Sequence, residues 1–331
     1  MTTHHNYEIY DELHAEKLVS DESFQKLQQR KNHPLQSVHW EVKTVLYLGI
    51  TLLTGGIGTL VYKNIDTIGH QVIIAFIALL TAGCFTYSFK HKKPYSRSRV
   101  ETPNTFFDYV LLLGTLSFLI LVGYLQYQYN IFGSNYGLAT AIPMLALFYI
   151  AYDFDHIGIL NMAIANLGVW MGVTATPRHL LATGTFNSQS IIVTYLAFGL
   201  LLLAAAWFTQ KFVIKKHFKF TYEHYGIHAS CVALLAGYFF NYEAGLSFLW
   251  LIAALALSVA LYFDSFKEKS FYFALLTILY GYFTVSCIVF RILSFDTVGD
   301  GIIALGMMYM TLSAVGVIFL LTSTYKKFKT A

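Results

Sequence analysis

Val110-Leu-Leu-Leu-Gly-Thr-Leu-Ser-Phe-Leu-Ile-Leu-Val-Gly-Tyr124 carries no charged residue and no alternation of polar and apolar positions. A membrane β-strand alternates lipid-facing and lumen-facing residues over segments of about 10 positions, and this run does not. Extended outward to 105–127, it has the length a helix needs to cross a hydrocarbon core, roughly 20 residues. In lipid every backbone N–H and C=O must be satisfied within the structure. An apolar, non-alternating run of this length therefore reads as a transmembrane helix.

The pattern recurs along the chain. Apolar runs at 44–62, 68–89, 105–127, 136–152, 156–174, 190–210, 226–241, 245–264, 270–292 and 301–322 predict ten spans. Composition agrees: of 331 residues, 56% are hydrophobic and only 12% charged, against roughly 25% charged in soluble domains. The mean hydropathy is +0.55. The expected fold is all-α: a polytopic transmembrane helical bundle over 43–325, a short helical cytoplasmic head over 1–42 and a cytoplasmic tail over 326–331. The fourth run contains Pro143, the fourth and seventh are short, and the seventh and eighth are where a re-entrant pair would fit. Trp40, Tyr124, Trp207 and Trp250 lie near run ends, where interfacial aromatics belong.

Charge sets the orientation. Of the 22 lysines and arginines, all but Lys63, Arg178 and Arg291 fall in the head, the tail or the loops that share their side in a ten-span topology. By the positive-inside rule both termini are expected in the cytoplasm, with the chain in a bacterial inner membrane. No cleavable signal peptide is read in the polar first 42 residues. Within the head, Tyr7 to Lys17 reads as an amphipathic helix. Ser20 reads as the N-cap of a second helix, with Asp21 and Glu22 in its first turn, where the helix dipole favours negative charge. Pro34 ends the head's helical part.

One family shows this order of features. Leu13-His-Ala-Glu-Lys-Leu-Val-Ser20, Ser23-Phe-Gln-Lys-Leu-Gln-Gln-Arg30, Leu46-Tyr-Leu-Gly-Ile-Thr-Leu-Leu-Thr-Gly-Gly-Ile-Gly58, Leu60-Val-Tyr-Lys-Asn64 and Gly69-His70 resemble the bacterial predicted membrane proteins of domain of unknown function 2157. The resemblance extends over about the first 150 residues. It implies a helical head, a glycine-containing hairpin and a many-helix membrane region, and it carries no activity.

Few side chains suggest chemistry. An ionisable group deep in lipid is costly and usually functional, yet the span cores hold almost none. The fifth run is the most polar, with Asn161 and Asn166. Five residues apart, they point about 140° from each other on a helix. Either each bonds a neighbouring helix or both line a polar path, together with Asp153, Asp155 and His156 just before them. The Asp153-Phe-Asp155-His156 stretch has a divalent-cation reading and a simpler one, in which Asp155 caps the fifth helix. On the outer side Glu243, Arg291, Arg178 and Asp296 are candidates for a shared vestibule, or are separate loop residues. Gly168-Val-Trp-Met-Gly172 is a small-xxx-small match that favours close helix packing. Gly55-Gly56-Ile-Gly58 lacks the lysine and preceding strand of a phosphate loop. Cys84, Cys231 and Cys287 are widely spaced in apolar runs, as buried small residues are, and form no disulfide or zinc pattern.

No catalytic residue, metal or cofactor is therefore expected, and no nucleic-acid partner; the bilayer is the expected environment. Two functions fit: transport of a small or hydrophobic solute of unknown identity, or sensing and scaffolding through a protein partner of the head. A membrane enzyme is not expected, for want of a zinc, nucleophile or acidic-pair motif.

Overall fold

The computed structural model describes residues 14, 16, 18, 20, 21, 23, 24, 39–133, 135–175, 188–296 and 300–330. Met1–Leu60 and Val61–Ala331 are separate compact units. Among the described residues the chain is all helical, with ten α-helices: α1 (His39–Ile68), α2 (His70–His91), α3 (Thr105–Tyr129), α4 (Tyr136–Phe154), α5 (Ile157–Ala175), α6 (Gln189–Lys211), α7 (Lys219–Phe240), α8 (Ser247–Lys267), α9 (Phe271–Asp296) and α10 (Asp300–Thr330). A short 3₁₀ turn, Lys216–Phe218, precedes α7.

In the first unit the predicted cap at Ser20 forms: its Oγ accepts from the Ser23 backbone N–H at 3.4 Å. The His14 ring stacks on Phe24, with centroids 4.0 Å apart, and its Nε2 lies 2.8 Å from Asp21. The predicted helix over Tyr7–Lys17, apart from His14 and Glu16, and the chain around Pro34 lie outside the described residues.

In the second unit, contacts between helix ends fix an up-and-down order. His70 at the start of α2 meets Tyr124 near the end of α3 (2.7 Å), while Lys92 just after α2 meets Asp153 at the end of α4. Asn241 after α7 donates to Gln189 at the start of α6 (3.0 Å), and Lys219 at the start of α7 contacts Glu268 at the end of α8. Phe271 at the start of α9 packs on Tyr325 and Phe328 near the end of α10. One end of this unit therefore gathers the loops rich in lysine and is termed the basic end. Helices α7 and α8 each run the full distance between the two ends.

Eight of the helices are long and apolar enough to cross a membrane. The other two are α5 and α7. The described apolar part of α5, Ile157–Gly172, is shorter, yet the whole helix, Ile157–Ala175, has 19 residues and spans about 28 Å at 1.5 Å per residue. Helix α7 is less apolar because its first turns hold Lys219, Glu223, His224 and His228. It tolerates them because it is walled by protein. Tyr222, Ile227, Cys231, Leu234 and Tyr238 are all buried, among α5, α6, α8 and α9. A helix surrounded by helices need not satisfy lipid.

The main core joins Phe107 and Leu111 of α3, Leu147 and Ala151 of α4, Leu160 and Ile164 of α5 and Leu202 of α6. Small residues let these helices approach closely. A Cβ on Gly199 would collide with the backbone of Ser230 on α7, and one on Gly237 with the Trp250 ring on α8. Gly168 and Gly172 face Phe198 and Tyr195 of α6, which is the close packing their spacing predicts. Helix α10 is the opposite case: Leu312, Val315, Ile318 and Phe319 stay more than 60% exposed, an apolar surface of the kind that lipid or another apolar partner covers.

Candidate functional site

The chain concentrates its ionic chemistry at the basic end. Helix α4 stops at Phe154 and α5 starts at Ile157, leaving two residues to reverse the chain. Asp155 makes the reversal in the left-handed conformation (φ 58°), which aspartate adopts more readily than most residues. His156 then caps α5: its Nδ1 accepts from the Ile159 N–H at 3.2 Å. Gly158 leaves room for that ring. The sequence reading gave the cap to Asp155; instead, the left-handed turn carries the Asp155 carboxylate away from α5 and frees it for other partners.

Those partners come from two distant segments. Oδ2 of Asp155 accepts from the Val100 N–H at 2.5 Å and lies 3.0 Å from Nζ of Lys215. Oδ1 lies 2.5 Å from Nε2 of His217. The Asp155 and Lys215 side chains are 1% and 0% exposed. Lys215 also holds the α2–α3 loop: its backbone N–H donates to the Arg97 carbonyl at 2.7 Å, and its ammonium sits 5.1 Å from the Tyr95 ring centroid. Val213 and Lys215 are themselves left-handed. A non-glycine residue pays roughly 1–2 kcal/mol for that conformation, so the ion cluster fixes a strained junction. Two residues earlier, Asp153 pairs with Lys92 at 2.7 Å. Both carboxylates of the Asp153–Asp155 stretch thus face lysines of the chain itself.

Next to this knot lies a second one. Nζ of Lys219 donates to Oε1 of Gln210 on α6 at 2.8 Å, contacts Glu268 at the end of α8 and stands 3.8 Å from Glu223 on α7. Both Lys219 and Glu223 precede the apolar part of α7, which begins at Gly226. Burial pushes the Lys219 ammonium below its usual range and the Glu223 carboxyl above its own.

The other predicted site residues do not join these knots. Asn161 and Asn166 are half-buried on α5. At the opposite end, the Arg291 guanidinium lies 3.9 Å over the Tyr242 ring and Glu243 is exposed. Arg178 and the Asp296 side chain lie outside the described residues. His228 is satisfied by the Tyr280 hydroxyl at 2.7 Å.

Sequence reasoning missed a cleft of about 330 Å³ between α8, α9 and α10. Leu255, Ser258 and Tyr262 line it from α8, Gly281 and Val285 from α9, and Leu320 from α10. Its polar groups are already used. Ser258 donates to the Ala254 carbonyl and Thr277 to that of Phe273. Tyr262 pairs with Thr324 at 3.4 Å and Tyr282 with Ser313 at 3.0 Å, tying α10 in place.

The architecture defines a multi-pass helical membrane protein in contact with the bilayer. Residues 11–160 match the model of a family described as predicted membrane protein (DUF2157), in agreement with the resemblance of the head and first hairpins. No curated protein and no solved structure matches the chain. The family match takes in Lys92, Asp153 and Asp155 and stops inside α5, so Lys215, His217, Lys219 and the cleft lie beyond it.

Proposed function

We propose that the protein is a non-enzymatic transporter of the bacterial cytoplasmic membrane, with both termini in the cytoplasm, that takes a hydrophobic solute from the lipid into the α8–α10 cleft. The carrying observation is the cleft itself. Its volume sits at the low end of the roughly 300–1,000 Å³ of ligand pockets, and its hydroxyls are all engaged. A polar solute would lose its hydration there and find only the spare acceptor lone pairs of hydroxyls that already donate elsewhere; an acyl chain or other apolar body loses nothing. Helix α10 touches the rest through one packed face and a few hydroxyl pairs, which suits a side wall that yields to a ligand entering from lipid. The lysine-rich loops support the orientation.

A photoactivatable fatty acid, presented to the full chain in lipid nanodiscs, tests this reading. Crosslinks should concentrate on peptides of α8, α9 and α10 that face the cleft. Gly281→Leu, which fills it, should abolish them while leaving the protein folded. Crosslinks spread evenly over the lipid-facing helices, unchanged by Gly281→Leu, would refute cleft binding and leave sensing or scaffolding through the head as the better account.

A further inference from the structure

The α8–α10 cleft has one closed end and a charge polarity. Helix α9 packs against both α8 and α10 and floors the cleft with Ile278 and Gly281. At the basic end α8 and α10 meet directly. Tyr262 pairs with Thr324, and Phe266 stacks on Phe328 with centroids 4.6 Å apart, braced by Phe271. This clasp shuts the cleft toward the water on that side, so entry is sideways, from lipid. The lining on α8, Leu255 to Tyr262, lies roughly 8–18 Å along the helix from Lys267. In a hydrocarbon core about 30 Å thick, most of that lies in the leaflet next to the basic end. Around the clasp Lys267, Lys269, Lys326, Lys327 and Lys329 are exposed, against Asp264 and Glu268, and Glu268 already contacts Lys219. Lys327 stands two turns beyond Leu320, on the face of α10 that lines the cleft. The joints at the other end of these helices hold Glu243, Asp296 and Asp300 against Arg291. An anionic head is therefore drawn to the basic end and repelled from the other.

We infer, on the reading that the cleft binds a hydrophobic solute, that its ligand is a long-chain fatty-acid anion from the leaflet at the basic end. The tail lies in the cleft, and the carboxylate stays at the interface beside Lys327. Chain length follows from the helices. Between Lys327 and Ser313, whose hydroxyl meets Tyr282 at the far side of the cleft, α10 rises about 21 Å. Helix α8 rises about 18 Å between Lys267 and Leu255. An extended chain of roughly 14–16 carbons covers that distance. A cleft of about 330 Å³ takes one such tail and leaves no place for the second tail of a phospholipid.

Competition against the photoactivatable fatty acid tests this, with the full chain in phosphatidylcholine nanodiscs at alkaline pH, where fatty acids are ionised. Myristate should displace the cleft crosslinks at a membrane concentration roughly tenfold lower than its methyl ester needs, or lower still. Lys327→Glu should remove most of that advantage and leave the ester's own competition unchanged. Lys211→Glu, at the same end but on α6, should alter neither. Hexanoate, too short to pass from the lysines over the clasp, should compete poorly at equal membrane concentration. Equal competition by acid and ester, or an acid advantage untouched by Lys327→Glu, overturns the inference while the crosslinks still mark the cleft as a binding site. Dimyristoyl phosphatidylglycerol competing as well as myristate overturns it too, in favour of a phospholipid tail. Crosslinks that never concentrate at the cleft overturn both the anion and the cleft.

Discussion

In an Asp155→Asn variant, the Lys215 ammonium stays fully buried and loses the only carboxylate at ion-pair distance from it among the described residues. The new amide can still accept from the Val100 N–H, so the backbone bond at 2.5 Å need not be lost. His217, partly exposed, can turn to water. Lys215 has no such escape. Around it remain the Ser98 carbonyl at 3.4 Å and the Tyr95 ring. Removing one partner of a buried pair costs about 3–5 kcal/mol, because the other charge is left uncompensated. With the backbone bond retained, the lower end, about 3 kcal/mol, is expected, or roughly a hundredfold in the unfolding equilibrium. The assay is unfolding by SDS in mixed micelles, followed by fluorescence of the four tryptophans. Lys215→Met should cost less, since Asp155 keeps Val100 and His217. The double variant should recover most of the Asp155→Asn loss, a strong coupling in the cycle. A loss below about 1 kcal/mol for Asp155→Asn, or additive losses in the cycle, would refute the idea that this pair closes the junction.

Three further outcomes follow from the packing and the charges. Gly199→Leu should separate α6 from α7, since even a Cβ there meets the Ser230 backbone; a loss of about 1–3 kcal/mol or more is expected by SDS unfolding. Gly123→Ala, with nothing within 4 Å of the added carbon, is the neutral control. The raised Glu223 carboxyl favours the folded state when protonated. That stability is complete below the ordinary glutamate range and is lost as pH rises through the folded-state value. Glu223→Gln should flatten this part of the thermal-stability profile and exceed the wild type at its alkaline end. Asn161→Leu and Asn166→Leu lie off the cleft and should leave fatty-acid crosslinking unchanged in the nanodisc assay.

The spans were legible because the bilayer imposes one length on every crossing helix. Predicted and observed starts agree within a few residues for α2 to α6, although the predicted joint over 153–155 is shortened to residues 155 and 156. Helix α7 shows where that signal ends. Its apolar run begins at 226, seven residues after the helix does, because the first two turns face other helices and need not be lipophilic. Lys219 therefore read as loop.

The ionic knots were half legible. Asp153 and Asp155 stood out as acids on a loop with no lysine. Their partners lie 61 and 62 residues away in sequence, and apolar periodicity carries no information on such pairings. One signal was present: an acidic joint on the same side as two strongly basic loops invites ion pairs between them. The left-handed turn that aims Asp155 at Lys215 has no comparable signature, since aspartate both caps helices and adopts this conformation. The cleft was illegible for a different reason. Ser258, Tyr262, Gly281 and Tyr282 are ordinary residues of apolar helices, and only the shallow packing of α10 turns them into a lining.

The central claim is that every helix of the second unit crosses the bilayer, including polar-headed α7, with the lysine-rich end in the cytoplasm. Lys216→Cys and Glu243→Cys, both at exposed positions, flank α7 and can be introduced singly after replacing Cys84, Cys231 and Cys287. A membrane-impermeant maleimide applied to intact spheroplasts should label the Glu243→Cys variant at once, and the Lys216→Cys variant only after permeabilisation. Equal labelling of the two positions would place both ends of α7 on one side and contradict the account.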